Sequence, residues 1–354
     1  MSVPVTGPVL VVGSGLLGAS VGLALRRAGV QVWLDDVDPS AVAEAVERGA
    51  GDPWSPDAGE PGLVVVAVPP AGAGAAMAAA SAFPHATVTD VTSVKAEPLA
   101  TALAQGADPA RLVGGHPMAG RETAGAASAR HDLFDDRVWV IAPTGESAPD
   151  CVQTVHDLVV TCGAVPIVMT PQDHDRAVAL TSHAPQVLSS LLAARLLDAD
   201  PDAVAVSGQG LRDMTRIAGS DPALWQAILQ ANAESVATVL EMFARDLDEV
   251  LDRLRQHADV GDALARGVEG RQRIPGKHGA AATAYDLVPV IIRDEPGELG
   301  RLFVAAGQLE VNLEDVRIDH VLGKPSGLVE LSVRPEATSR LVEGLRSLGF
   351  DVRA

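Results

Sequence analysis

Cysteine is scarce. Cys151 and Cys162 are the two in 354 residues, too few for a disulfide framework, and neither stands in a CxxC or beside histidines at a zinc-binding spacing. No metal site is expected, and a reducing, cytoplasmic setting fits. Positive charge is also short: Lys+Arg 27 against Asp+Glu 46 leaves a net charge of −19. Phosphate backbones and anionic lipid surfaces would repel such a chain, so neither nucleic acid nor membrane is expected as a partner. The start, MSVPVTGPVLVV, lacks the basic region of a signal peptide. The most apolar window, Gly62 to Ala80, is broken by Pro69-Pro70 and by Gly62, Gly72 and Gly74 into a strand and a loop. Lysine is the rarest charge, with three (Lys95, Lys277, Lys324) and none from Pro171 to Arg266. What remains, 47% hydrophobic and 21% charged residues, is ordinary globular composition with length for two to three domains.

From Val9 to about Thr170, short β-branched runs alternate with alanine-rich segments of helical period: VLVV, LLGASVGLALRRAG, VQVWLDD, PSAVAEAVERG, LVVVAV. This is a βαβαβ pattern, expected to give a parallel sheet with helices on both faces. Further strands are predicted at Ala86–Asp90, Arg111–Gly114, Val138–Ala142 and Val165–Met169. From Pro171 to Arg266 apolar residues recur at spacings of three and four (Val187, Leu188, Leu191, Leu192; Leu240, Phe243, Leu247, Leu251, Leu254), the pattern of a helical domain. Residues 267–285 read as a linker or active-site loop. Leu287 to Arg353 gives strand, helix, strand, strand, helix, strand, the order of a ferredoxin-like module over 286–354.

Gly13-Ser14-Gly15-Leu16-Leu17-Gly18 matches GxGxxG, and it follows the first strand and opens a helix. In that setting Gly13 permits a tight turn, Gly15 lets backbone approach a pyrophosphate and Gly18 allows close helix packing, with phosphate charge on the helix N-terminus. Asp36, 18 residues after Gly18, stands where an acid bonds the adenosine ribose, which disfavours a 2′-phosphate and points to NAD. Asp35 competes for that role, and Asp38 before Pro39 reads as a helix N-cap. Val68, after the LVVVAV strand, is the remaining expected cofactor contact.

Three further clusters fall where strands end or helices begin: Asp90-Val91-Thr92-Ser93-Val94-Lys95, Gly114-Gly115-His116-Pro117-Met118-Ala119-Gly120-Arg121-Glu122, and Gly208-Gln209-Gly210-Leu211-Arg212-Asp213-Met214-Thr215-Arg216. Ligands of open α/β sheets bind outside the carboxyl ends of the strands, which would bring Ser93 and His116 to the nicotinamide. Arg212 and Arg216, four apart on a helix, suit a carboxylate. Taken singly, His116 reads equally as a turn residue, and Arg212, Asp213 and Arg216 as a surface ion network. Together, beside a dinucleotide site, they describe oxidation of a hydroxyl on an anionic substrate.

The set GSGLLGAS, DVTSVK, GGHPMAGRE, HDRAVALTSH and GLRDMTRIAGSDPALW resembles the prephenate and arogenate dehydrogenases of tyrosine biosynthesis over residues 9 to 277. DEPGEL (294–299) and NLED (312–315) resemble an ACT domain, a small amino-acid-sensing module. The resemblance implies a Rossmann-type domain (1–170), an all-α dimerisation domain (171–266) and a regulatory ACT domain (286–354). It also implies NAD-dependent oxidative decarboxylation of prephenate to 4-hydroxyphenylpyruvate, or of arogenate to tyrosine. His116, with a pKa near its ordinary 6.5, would take the hydroxyl proton. Ser93 would hold the same hydroxyl and orient His116, and Arg216 would pair with the ring carboxylate. His183 and Asp175, the latter after His174, would line or order the pocket, Glu122 would pair with an arginine at its mouth, and Trp225 would pack behind it or belong to the core. Gly297, Leu299 and Asn312 would bind an amino-acid effector such as tyrosine, although dimerisation without a ligand is the plainer use of such a module. Where many prephenate-specific members read SHLPH, this chain reads Ser182-His183-Ala184-Pro185-Gln186, and Gln186 can bond a keto or an amino group.

A β-hydroxyacid dehydrogenase shares the domain order but uses a lysine on its helical domain, where this chain has none. A non-catalytic sensor of NAD and amino acids would not need His116, Ser93 and Arg216 together. The helices from Val187 to Leu254 are expected to bury their apolar stripe against a second copy.

Overall fold

The computed structural model describes residues 5, 7–119, 125–274, 285–320 and 326–353. Glu122, Lys277, Lys324 and most of the expected 267–285 loop lie outside the described residues. The chain divides into two compact units, residues 1–245 and 246–354.

The first unit is built on eight strands: β1 (Val9–Val12), β2 (Val32–Asp35), β3 (Asp52–Pro53), β4 (Leu63–Val66), β5 (Thr87–Asp90), β6 (Leu112–Pro117), β7 (Val138–Pro143) and β8 (Val165–Val168), in the spatial order β3-β2-β1-β4-β5-β6-β7-β8. Its first five helices are α1 (Leu16–Arg27), α2 (Pro39–Glu47), α3 (Pro70–Ala80), α4 (Ala96–Ala104) and α5 (Pro149–Thr161). The near-continuous apolar runs of β1 and β4 follow from burial on both faces. Val9, Val11, Leu63 and Val65 point to a core shared with Leu25 of α1, Ala45 of α2 and Leu158 of α5. Their neighbours Leu10, Val64 and Val66 point the other way, to Met77 of α3 and Leu99 of α4. This is the Rossmann-like α/β architecture expected from the sequence.

The all-parallel sheet is not what forms. β7 runs antiparallel to β6, with His116 opposite Val140, and β8 then runs parallel to β7. A parallel β6–β7 pair needs a crossover of a dozen or more residues, usually a helix. Among the described residues between those strands there is no α-helix, only the short helical turn Ala126–Ser128 and the turns over 131–136. The same pairing carries β6 through Gly114, Gly115 and His116 to Pro117, past the predicted end at Gly114, so His116 lies within a strand.

Helices follow from Pro171: α6 (Pro171–Val178), α7 (Ala184–Ala194), α8 (Pro201–Ala205), α9 (Gln209–Thr215), α10 (Pro222–Ala231) and α11 (Ala233–Arg255). Proline near the start of α6, α8 and α10 and capping side chains from Thr170, Asp200 and Asp221 set their beginnings. One π turn, Ala179–His183, joins α6 to α7; such turns concentrate at functional sites. The stripe read as Phe243, Leu247, Leu251 and Leu254 on α11 is exposed, as is Leu191.

In the second unit α12 (Gly261–Gln272) continues through Gly267, where a loop was expected. Then come β9 (Asp286–Arg293), α13 (Glu298–Gln308), β10 (Asp315–His320), β11 (Ser326–Val333), α14 (Pro335–Ser347) and β12 (Asp351–Val352). These strands form a small sheet in the order β10-β11-β9-β12 with every neighbour antiparallel. Val288, Val290, Leu331, Leu302 of α13 and Leu341 and Leu345 of α14 make its core. Among the described residues no helix is long and apolar enough to cross a membrane.

Candidate active site

The glycine-rich loop joins β1 to α1. Gly13 has φ +102°, and a Cβ there would lie 2.4 Å from the Ala67 carbonyl oxygen; a Cβ on Gly18 would collide with the Gly13 carbonyl. Gly15 is different. A Cβ there would meet none of the described residues within 4 Å, so their packing does not require glycine, and the open space suits a ligand approaching the backbone. Among the described residues no side chain caps α1, and the hydroxyl of buried Ser14 has no partner. Asp36 turns back over the loop, its Oδ2 accepting the Ser14 N–H at 2.6 Å and its Oδ1 that of Asp38 at 2.9 Å. Asp38 caps α2 through the Ser40 N–H, and Asp35 stays in β2. Leu16 and Leu17 open α1, and half-buried Val68 follows β4 near the Gly13 turn. Uncapped amides, open space and a neighbouring acid fit a dinucleotide.

His116 is buried on β6. Its Nδ1 lies 2.8 Å from Nε2 of His174, and His174 Nδ1 lies 2.7 Å from Asp175 Oδ1. Asp175 accepts the backbone N–H of Lys95 at 2.8 Å and, through Oδ2, that of Ala96 at 2.9 Å, which anchors α6 to the start of α4. The backbone before His116 is clamped as well. Lys95, fully buried, pairs with Asp90 and donates to the Gly115 carbonyl at 2.6 Å, while Asp90 accepts the Gly115 N–H at 3.1 Å. A Cβ on Gly115 would sit 2.5 Å from the Asp90 carbonyl oxygen, so only glycine lets β6 lie this close to β5.

Burial, and then the nearness of three other groups that can carry positive charge, His174, Lys95 and His183, hold the His116 pKa well below its ordinary 6.5. The expectation of an unperturbed imidazole is corrected, because the sequence does not show how deeply β6 is covered. Burial likewise pushes the Lys95 ammonium down against the pull of Asp90. The imidazole of His183 falls to about 4, chiefly by burial. Its Nδ1 faces Asn232 Nδ2 at 3.1 Å, and the same amide donates to the Asp175 carbonyl at 2.8 Å. Trp225 stands edge-on to His183 with ring centroids 6.0 Å apart.

Among the described residues Ser93, half-buried after β5, makes no hydrogen bond to His116; the ring is oriented by His174 instead. Gln186 is buried, its Nε2 donating to the Ile217 carbonyl at 3.0 Å and lying 3.4 Å from Ser190 Oγ. This ties α7 to the turn that begins at Arg216. Arg212 and Arg216 are exposed and pair with no carboxylate among the described residues, whereas Asp213 accepts from Gln209 at 2.9 Å. Asn232 gave no signal in the sequence. The His-Asp dipeptide at 174–175 was a signal, but the part played by His174 is visible only once α6 packs against β6. In the second unit Gly297 adopts φ +95° ahead of α13, Leu299 packs against the core, and Asn312 donates to Glu314 at 2.9 Å.

Two family descriptions match this chain: "Prephenate dehydrogenase, nucleotide-binding domain" over residues 21–168 and "Prephenate dehydrogenase, dimerization domain" over residues 170–268. The chain belongs to the prephenate dehydrogenase family. It is 36% identical to the probable prephenate dehydrogenase NovF of Streptomyces niveus, over 95% of this chain and 97% of that one. The solved prephenate dehydrogenase of A. aeolicus, in complex with hydroxyphenyl propionate and NAD+, is 27% identical with a TM-score of 0.69, over 76% of this chain and 98% of that one. Synechocystis arogenate dehydrogenase is similar at 27% identity and TM-score 0.65, over 75% and 98%.

Proposed function

We propose that the chain is an NAD-dependent dehydrogenase that converts prephenate to 4-hydroxyphenylpyruvate with loss of carbon dioxide. One observation carries the reading: a buried, neutral His116, held by named partners, lies on the same sheet as an uncapped dinucleotide loop in a chain of this family. Gly13, Ser14, Gly15, Leu16, Leu17, Gly18 and Val68 would hold the dinucleotide, with Asp36 at its ribose. The bound nicotinamide would supply the hydride acceptor. His116 takes the proton of the ring hydroxyl, and its depressed pKa keeps it in the neutral form that can do so. Ser93 contributes a hydrogen bond to that hydroxyl. Arg216, exposed and without a carboxylate partner among the described residues, receives the ring carboxylate, with Arg212 and Asp213 beside it. Loss of that carboxylate as carbon dioxide makes the ring aromatic and the reaction irreversible. His183 and Asp175 order the pocket from behind. Glu122 is assigned its place at the mouth from the sequence alone.

A second reading, oxidation of arogenate to tyrosine, is favoured by Gln186. Its amide N–H groups face Ile217 and Ser190, which leaves Oε1, an acceptor suited to an ammonium rather than a keto group. Side-by-side initial rates of NADH formation with the two substrates separate the readings. Under the second, Gln186→His is expected to move the preference toward prephenate by about tenfold, or about 1.4 kcal/mol; an unchanged ratio would remove Gln186 from substrate selection.

We further assign the exposed stripe of α11, with Leu191, to a homodimer contact, in keeping with the description of the 170–268 match. Residues 286–354 read as an ACT-like, ferredoxin-like module, supported by their element order, with tyrosine or a related amino acid as effector near Gly297, Leu299 and Asn312. The domain limits 1–170, 171–266 and 286–354 belong to the same reading.

A further inference from the structure

The hydrogen-bond chain behind His116 has a direction, and that direction decides whether the nitrogen turned away from His174 carries a proton. Asp175 accepts on both oxygens, from the N–H groups of Lys95 and Ala96, so it faces His174 as an acceptor. The 2.7 Å contact to Asp175 therefore requires a proton on His174 Nδ1. In a neutral ring His174 Nε2 is then an acceptor, and the 2.8 Å contact to His116 requires the proton on His116 Nδ1. His116 Nε2 is left bare. With His174 neutral, the reverse order would set its bare Nδ1 against a carboxylate oxygen, lone pair to lone pair. The tautomer of a histidine is set by the bond its other nitrogen makes, and here two residues on α6 make it for a residue on β6.

We propose that His174, backed by Asp175, is a positioning residue that locks His116 in the Nδ1–H tautomer and so presents Nε2 as the proton acceptor. The inference rests on His116 being the base, and it adds a device outside the substrate pocket that makes the ring competent. His174 is fully buried and Asp175 nearly so, so water does not compete for either bond. When the substrate O–H bond breaks and Nε2–H forms, His116 becomes an imidazolium whose Nδ1–H already points along a chain that ends in a carboxylate. The same packing explains the two backbone bonds to Asp175: they fix the carboxylate, which fixes His174, which fixes His116.

The test is nitrogen NMR of the full-length protein labelled with 15N-histidine, without substrate, the His116 signals being those lost in His116→Asn. The expected spectrum has His116 protonated at Nδ1 and unprotonated at Nε2. His174→Phe is expected to abolish that tautomer and lower kcat roughly 100-fold, on the order of a general-base contribution, while the dissociation constant for NAD stays within about twofold. His174→Gln, whose amide oxygen can accept from His116 Nδ1, is expected to restore the tautomer and most of kcat. Protonation of His116 at Nε2 in the unmodified protein, or a His174→Phe variant with unchanged tautomer and kcat, would overturn the proposal. The wild-type spectrum decides the tautomer even if the Phe variant does not fold. Normal turnover by His116→Asn would instead sink the base assignment and leave the tautomer result standing.

Discussion

His116 and His183 show at the residue scale what a sequence does and does not carry. Their types and positions were readable, because a histidine after a Gly-Gly pair and another in Ser-His-Ala-Pro form part of a recognisable set. Their proton affinities were not, because the shifts come from burial and from each other's neighbourhood. Both are held below 6.5, His183 at about 4, so in the unfolded chain each binds a proton at a pH where the folded chain does not. By linkage the folded state is then favoured fully above about pH 6.5 and loses stability as pH falls from 6.5 toward the folded values. The expected result is a urea midpoint that drops between pH 7 and pH 5. Because burial holds the free enzyme's base below its ordinary 6.5, kcat/KM should keep its plateau down to 6.5 and show its acid limb below that. An acid limb centred at or above 6.5 would contradict the burial account. Gln186 and Ser93 carry a related lesson: residue type suggested contacts with substrate, and the fold adds or substitutes partners within the chain.

Elements were more legible than the way they pair. The alternation of β-branched runs and helical segments located β1, β2, β4 and β5 and the helices α1 and α2 to within about two residues, because burial on both faces leaves an apolar signature, whereas Pro70–Ala80, expected as a loop from its proline and glycines, folds as α3 with proline at its first turn. The antiparallel turn of β7 left no such trace, since a strand reads the same in either direction. The two-residue β3 is too short to have a pattern at all. α11 makes the opposite point. Its three-and-four spacing was read correctly as an apolar stripe, yet Leu247 remains 59% exposed and Leu254 53% exposed, so the stripe faces outward from this chain. A stripe of that kind is what a partner covers. Leu247→Glu with Leu251→Glu is expected to convert a dimer to a monomer in sedimentation or light scattering, with the Rossmann-like sheet still folded by circular dichroism. A wild-type protein already monomeric at micromolar concentration would remove the assignment.

For the molecule as a whole, the sequence yielded the two-part plan of a dinucleotide domain followed by helices, and the family matches agree with it over residues 21–268. The small C-terminal sheet is where sequence and function part, because a βαββαβ order describes a shape and its ligand is a matter of a few side chains. Asn312 already donates to Glu314, so an amino acid binding there would have to share or displace that bond. Calorimetric titration of the full chain with tyrosine is expected to release heat and Asn312→Ala to abolish it; no heat with any aromatic amino acid would count against an effector site. The central claim is tested most directly by following NADH after mixing the purified protein with NAD and prephenate or arogenate. The expected result is NADH formed in step with carbon dioxide from at least one of them, with turnover lost and NAD affinity kept in His116→Asn. NAD binding without turnover of either substrate would contradict it.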